Sequence, residues 1–327
     1  MRFRVITAVA LAYVGTVIGA GFASGQEVWQ FFSRFGAHGL WGIVLVTAIF
    51  AMVGAVALDR GRQGLENFAD LLHRVYSPRI VRLSEGMIDA FLFAGLSVAV
   101  AGGGSTLTHF GLNAWLGKLV TLAIILYIGY LGVDGVMKIN ALIVPYLIFV
   151  IVITSFIVGY RQSAVPGPAI HSWHWFLSAL LYVSYNLFTA VLVLVGLGGK
   201  MSSRREVWYA AGLGGMILGF LLYVEHRVLT VLPLIQDLPM LTVANHANSH
   251  LGTLYAVSLW LALLTTGVGI AFVFRQRYGS HKLLGLTLVL ILTQWSFQTL
   301  VSHFYPVMGS LSVILWLPVF VSIRGAK

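Results

Sequence analysis

Long apolar runs alternate with short polar connections along this chain, and each run has the length a helix needs to cross a bilayer. About 20 residues at 1.5 Å rise cover a hydrocarbon core of roughly 30 Å. Ten such runs can be drawn: 5–33, 39–58, 83–105, 115–134, 139–160, 174–198, 207–227, 252–274, 283–301 and 304–323. Two connections are long enough to carry structure of their own. Segment 63–78 is too polar to cross, but Leu65, Phe68, Leu72 and Val75 recur at helical spacing. It is expected as a short amphipathic helix on the cytoplasmic face. Segment 228–250 is broken up by Pro233 and Pro239. The pattern predicts an all-α integral membrane protein with no separable soluble domain.

Composition agrees. Of 327 residues 59% are hydrophobic and 9% charged, against about a quarter charged in a soluble domain. So few charges cannot cover a water-facing surface. The net charge of +10 raises nucleic acid as a partner, but the charges fall between the apolar runs, which removes that reading. With the N-terminus inside, sixteen of the 20 Lys and Arg lie in cytoplasmic segments, and only Arg34, Lys118, Arg161 and Arg227 lie outside. This asymmetry is the positive-inside pattern, and it places both termini on the cytoplasmic side of an inner membrane. Arg2 and Arg4 ahead of an apolar stretch imitate a signal peptide, yet the apolar character continues past Ala23. Without cysteine there is no disulfide, thiolate metal site or cysteine nucleophile.

Ten spans divide into five and five. Spans two and seven begin near 39 and 207, spans three and eight near 83 and 252, offsets of about 168 residues. An odd number of spans per half inserts the second half upside down, as an inverted repeat of 1–160 and 172–323 within one transmembrane domain. Any irregularity in span one should then recur in span six.

Span one is irregular. It reads Gly15-Thr16-Val17-Ile18-Gly19-Ala20-Gly21-Phe22-Ala23-Ser24-Gly25-Gln26-Glu27. Each glycine weakens a helix by roughly 1 kcal/mol relative to alanine. Gly15 and Gly19 also form a Gly-xxx-Gly pair, the mark of close helix packing. Glu27, however, sits between apolar segments, where a charge must face protein or water. A broken helix accounts for both features, with non-helical backbone within 18–24. Span six carries Tyr182-Val183-Ser184-Tyr185-Asn186, a polar island without glycine, and a second break is expected within 183–188.

These two motifs resemble the first and sixth helices of the bacterial YkvI-type membrane proteins, a family placed among the permeases of the amino acid–polyamine–organocation superfamily. The resemblance covers the whole chain. It implies the leucine-transporter-type fold, a five-plus-five inverted repeat with helices one and six unwound around a central solute. It further implies a sodium site between helices one and eight, with carbonyls of Gly15 and Ile18 and, on helix eight, the Ala262 carbonyl and the Thr265 and Thr266 hydroxyls. Ala262, Thr265 and Thr266 stand at i, i+3 and i+4, one helical face. Threonines in membrane helices also bond their own backbone. Neutral oxygens suit a singly charged cation, whereas calcium and magnesium sites recruit carboxylates. Proton-coupled relatives place a lysine from helix five there, and 142–157 holds none.

The resemblance thus implies a sodium-coupled transporter of a small amino acid or related amine, with a germinant-sensor-like receptor on the same fold as the alternative. Amides near Gly19, Ala20 and Gly21 are expected to attract a carboxylate, and helix-six carbonyls with Ser184 and Asn186 an ammonium. That pair of poles suits a zwitterion, with Phe22 and Tyr185 as walls. Glu27 and Asp89 are candidate gating or coupling residues, and proton coupling through either is the other alternative. Glu85 and Asp89 stand at i and i+4, an acidic pair that either gates the inner side by pairing with Arg2 or Arg4, exchanges protons, or simply pairs with Arg82 at the interface. Eight histidines, among them His226, His246, His250 and His303, are assigned to the external side, and His246 and His250 stand at i, i+4. No phosphate loop, Ser/His/Asp set or metalloprotease motif occurs, so neither an enzyme nor a resident cofactor is expected. Nor is an obligate protein partner.

Overall fold

The computed structural model describes residues 2–65, 77–130, 133–161, 173–230, 237–278 and 289–322. Among them every regular element is helical. The first apolar run forms α1 (Phe3–Val17), α2 (Ala20–Ala23) and α3 (Gln26–Phe31). After it come α4 (Ala37–Arg62), α5 (Pro78–Leu107), α6 (Ala114–Tyr130) and α7 (Val133–Arg161). The second half holds α8 (His174–Gly198), α9 (Arg204–Leu229), α10 (Pro239–Ala247), α11 (Ser249–Tyr278) and α12 (Phe297–Ser322). Among the described residues four helices are long and apolar enough to cross a membrane: Ala37–Arg62, Pro78–Phe110, Arg204–Leu229 and Ser249–Ala271. The chain is a multi-pass membrane protein.

α4 packs against α8 and α9, α5 against α6 and α11, and α12 against α8 and α5. α1 threads between α8 and α9. Tyr13 fixes α1 against α4 and α9. Its ring fills space left by Gly54 and Gly214, where a Cβ would stand 2.8 and 2.7 Å from ring carbons. Its hydroxyl donates to the Phe50 carbonyl at 2.9 Å. At the other end of the path Arg2 pairs with Glu206 at 2.9 Å and donates to the Lys200 carbonyl at 2.7 Å. The N-terminus is therefore tied to the start of α9, and Arg2 does not pair with Glu85 or Asp89.

The break expected in span one is present, and the break expected in span six is not. α8 runs without interruption from 174 to 198. The reason is local. No glycine or proline lies between 175 and 195, and the Asn186 amide finds its partner along the helix itself. Asn186 Nδ2 donates to the Tyr182 carbonyl at 3.0 Å, one turn back. Polar residues in a membrane helix that bond their own backbone decorate the helix without unwinding it.

Three other expectations change. The last connection falls at 293–296, not at 302–303: Ser296 Oγ accepts the Thr299 amide at 3.1 Å and caps α12. Ser302 and His303 lie inside that helix, both bonded to the Thr299 carbonyl. Pro239 opens a nine-residue helix instead of breaking one, since proline suits the first helical position. His226, assigned to the outside, is buried beneath the turn that leads into α4, with Nδ1 3.3 Å from Ser33 Oγ. The amphipathic helix expected at 63–78 lies mostly outside the described residues.

Candidate functional site

The site begins where α1 ends. Backbone turns extended through Ile18 (φ −74°, ψ 91°) and Gly19 (φ −107°, ψ −169°). In a continuous helix the Gly19 amide would bond the Gly15 carbonyl. Here it bonds Val17 at 2.9 Å, and the Gly15 carbonyl loses its helical partner. The Ile18 carbonyl loses its partner too, because the Phe22 amide faces the Glu27 carboxyl. Tight helix packing is not what these glycines provide. A Cβ at Gly15 would meet Val144 at an ordinary 3.4 Å, and one at Gly19 would stand 3.9 Å from Thr266 Oγ1.

A second irregularity follows. Gly25 takes φ +78°, a conformation open to glycine, and lets α3 leave in a new direction. The turn is held from outside the span. Tyr255 of α11 donates to the Ala23 carbonyl at 2.7 Å, and the Met240 amide of α10 donates to the Ser24 carbonyl at 3.0 Å. Ser24 Oγ donates to the Gly21 carbonyl at 2.8 Å and accepts the Gln26 amide at 3.1 Å.

These backbone groups border a cavity of ≈ 370 Å³, within the range of small-molecule sites. Gly15, Ile18, Gly19 and Ala20 line it from the broken helix, Thr265 and Thr266 from α11, Tyr185 and Asn186 from α8, and Glu27 from α3. Nine of the fourteen residues singled out in the sequence thus meet at one place. The rest of the wall includes Phe91 and Gly95 of α5, Ile270 of α11, and Tyr305 and Met308 of α12. Thr265 Oγ1 donates to the Ala262 carbonyl at 3.0 Å, which leaves the lone pairs of its oxygen for another partner.

Five of the fourteen stand apart. Ala262 is buried behind Thr265, and Phe22 is buried in the core. Ser184 is buried outside the lining, and Asp89 lies part-buried on α5, two residues before Phe91. Gly21 is beside the cavity without lining it. Its missing side chain makes room for Glu27: a Cβ there would overlap Glu27 Oε1 and stand 2.8 Å from Glu27 Cδ. Because α8 is continuous, it presents Tyr185 and Asn186 side chains to the cavity and no freed carbonyls.

Glu27 is almost wholly buried, and its Oε2 has no hydrogen-bond partner. Its polar neighbours are the Phe22 amide and the Tyr185 hydroxyl, with Tyr182, Tyr305 and Glu225 also within its field. Glu225 is a residue the sequence reading missed. It is fully buried on α9 with both carboxyl oxygens unpartnered, as are both side-chain amide atoms of Gln26. Glu225 falls in the last two turns of α9, beside His226 and Arg227, and in sequence that triplet reads as an interfacial flank. Tyr305 was missed because only the packing of α12 against α8 brings it in, 4.9 Å from Tyr185 between ring centroids. Among the described residues no group of three or more His, Cys, Asp or Glu could hold a metal ion.

No protein-family model matches the chain. It is 28% identical to the membrane protein YkvI of Bacillus subtilis (strain 168) over 319 residues, covering 93% of this chain and 92% of that protein. It is 27% identical to the protein YyaD of the same organism over 327 residues, 93% of each. Among solved structures it resembles MhsT in complex with L-phenylalanine, with a TM-score of 0.60, 14% identity, and coverage of 98% of this chain and 89% of that one. It also resembles a variant of a manganese transporter from Eremococcus coleocola, with a TM-score of 0.52, 18% identity, and 98% and 70% coverage. The chain is a homologue of YkvI and YyaD and shares the fold of these solved leucine-transporter-type structures, with the helix of 174–198 unbroken.

Proposed function

We propose that the protein is a secondary active transporter of a small amino acid or related amine, coupled to sodium and working by alternating access. One observation carries this reading: the break after Val17 turns the Gly15 and Ile18 carbonyls out of their helix, beside a cavity that the Thr265 and Thr266 hydroxyls also line. Unpaired carbonyls in a membrane interior are costly unless a ligand or water takes them. Singly charged cations bind such oxygens.

Ten spans in a five-plus-five inverted repeat fit the packing. Contact of α4 with α8 has its counterpart in α9 with α1, and α5 with α12 in α11 with α7. The pairs α1–α8, α4–α9 and α5–α11 each join an element to its own counterpart. Both termini face the cytoplasm on the charge asymmetry. Reporter fusions should then place 63–78 inside and 228–250 outside, and finding both on one side would end the ten-span reading.

The functional test is uptake into proteoliposomes under an inward sodium gradient. Sodium should stimulate uptake at least ten-fold, and the double variant Thr265→Val, Thr266→Val should lose that stimulation while folding normally. A double variant with wild-type sodium dependence overturns the ion site. A wild-type protein indifferent to sodium but driven by a proton gradient assigns coupling to Glu27, which lines the cavity, ahead of Asp89, which does not. Binding without uptake makes the protein a receptor on this fold.

A further inference from the structure

Among the described residues the cavity has one charged side chain on its wall, Glu27, and no Lys, Arg or His. Its carboxyl folds back over Gly21, so close that a Cβ there would overlap it, and faces the Phe22 amide. A zwitterionic solute needs that same place for its own carboxylate. Here the protein supplies the carboxylate itself. While that carboxyl is ionised, a second anion beside it would be repelled at short range in a low-dielectric site.

Among the described residues no cation answers Glu27. Its electrostatic neighbours are Phe22 on α2, Tyr182 and Tyr185 on α8, Glu225 on α9 and Tyr305 on α12, none of them basic. Two further observations point to a ligand. Glu27 Oε2, more than nine-tenths buried, has no hydrogen-bond partner, and the buried Tyr185 hydroxyl beside it faces only the Glu27 carboxyl. The rings of Tyr185 and Tyr305 stand 4.9 Å apart on the same wall, and aromatic faces attract cations within about 6 Å.

We propose that the cavity takes an organic ammonium without a free carboxylate, with Glu27 as its built-in counter-ion. The proposal rests on the solute-binding reading above and narrows it, within "amino acid or related amine", to the amine. The ammonium donates to Glu27 and Tyr185, and the hydrocarbon part lies against Phe91, Ile270 and Met308. The Gly15, Ile18, Thr265 and Thr266 oxygens remain for the coupling ion.

The experiment is thermal stabilisation and calorimetric binding on the purified full-length protein, with solutes matched in pairs. Phenethylamine is compared with L-phenylalanine, isoamylamine with L-leucine, and phenethyl alcohol serves as the neutral isostere. A ligand that binds only the folded state raises its melting temperature. At least one amine should stabilise wild type and bind at least ten-fold more tightly than its amino acid and its alcohol. Glu27→Gln, close in shape and without charge, should lose that amine preference at least ten-fold. An amino acid bound more tightly than its amine, an alcohol bound equally well, or no response from any pair overturns the proposal on wild type alone, whatever the variant does. An amine preference that survives Glu27→Gln overturns the role of Glu27. Uptake separates this inference from the one beneath it. Sodium-driven uptake of amino acids with no amine binding keeps the transporter and ends the ammonium assignment, while amine binding without uptake does the reverse.

Discussion

The broken first span and the continuous α8 carry comparable polar motifs, yet only one of them unwinds. The first has four glycines between Gly15 and Gly25, two extended residues at 18 and 19, and partners on α10 and α11 that hold the freed backbone. In α8, Ser184, Tyr185 and Asn186 sit in a run without glycine, and Asn186 bonds back to its own helix. Polar side chains alone do not break a membrane helix. A break requires backbone freedom on one side and, on the other, tertiary groups that receive the orphaned amides and carbonyls.

Four substitutions sharpen or break this comparison, each read as the change in unfolding free energy or melting temperature of the purified protein. Asn186→Pro forces into α8 the break it lacks. It should cost about 3 kcal/mol or more, and a near-neutral result would mean that α8 is already poised to open. Gly25→Val asks a branched residue to adopt φ +78° against Met240, whose Cγ would lie 2.5 Å from the new Cβ. The expected loss is about 2–3 kcal/mol. Tyr255→Phe removes the donor to the Ala23 carbonyl and leaves a buried acceptor without it, at about 1–2 kcal/mol. If Tyr255→Phe is silent, α11 is not what holds the turn. Ser184→Ala should stay within about 0.5 kcal/mol, because its position belongs to an intact helix that needs no hydroxyl there. A loss above about 2 kcal/mol would show that this serine holds something the helix does not.

Much of the site was legible because its signals are local in the chain. Glycine spacing marks the break, and the i, i+3, i+4 pattern puts Thr265 and Thr266 on one face of α11. A glutamate flanked by apolar residues has to face the interior. Glu225, Tyr305 and the buried place of His226 were not legible, since each depends on which helix covers it. His226 reads as a loop residue until the turn after Phe32 folds over it. The connection before α12 was misplaced because hydropathy weighs Thr293 to Ser296 and Ser302-His303 alike, while only the first carries a capping hydroxyl.

The amino-acid sequence by itself determined the membrane-spanning class, the position of most helices and the break in the first span. These follow from apolar run length, charge placement and glycine content, each acting within a few residues. Tertiary structure alone decided that Tyr255 and Met240 secure the broken span. It also decided that Glu27 turns back over Gly21 into the cavity. The physical reason is the same in each case. A polar group freed in a membrane interior is costly until another part of the chain, a ligand or water meets it, and what meets it is a property of packing that no local pattern encodes.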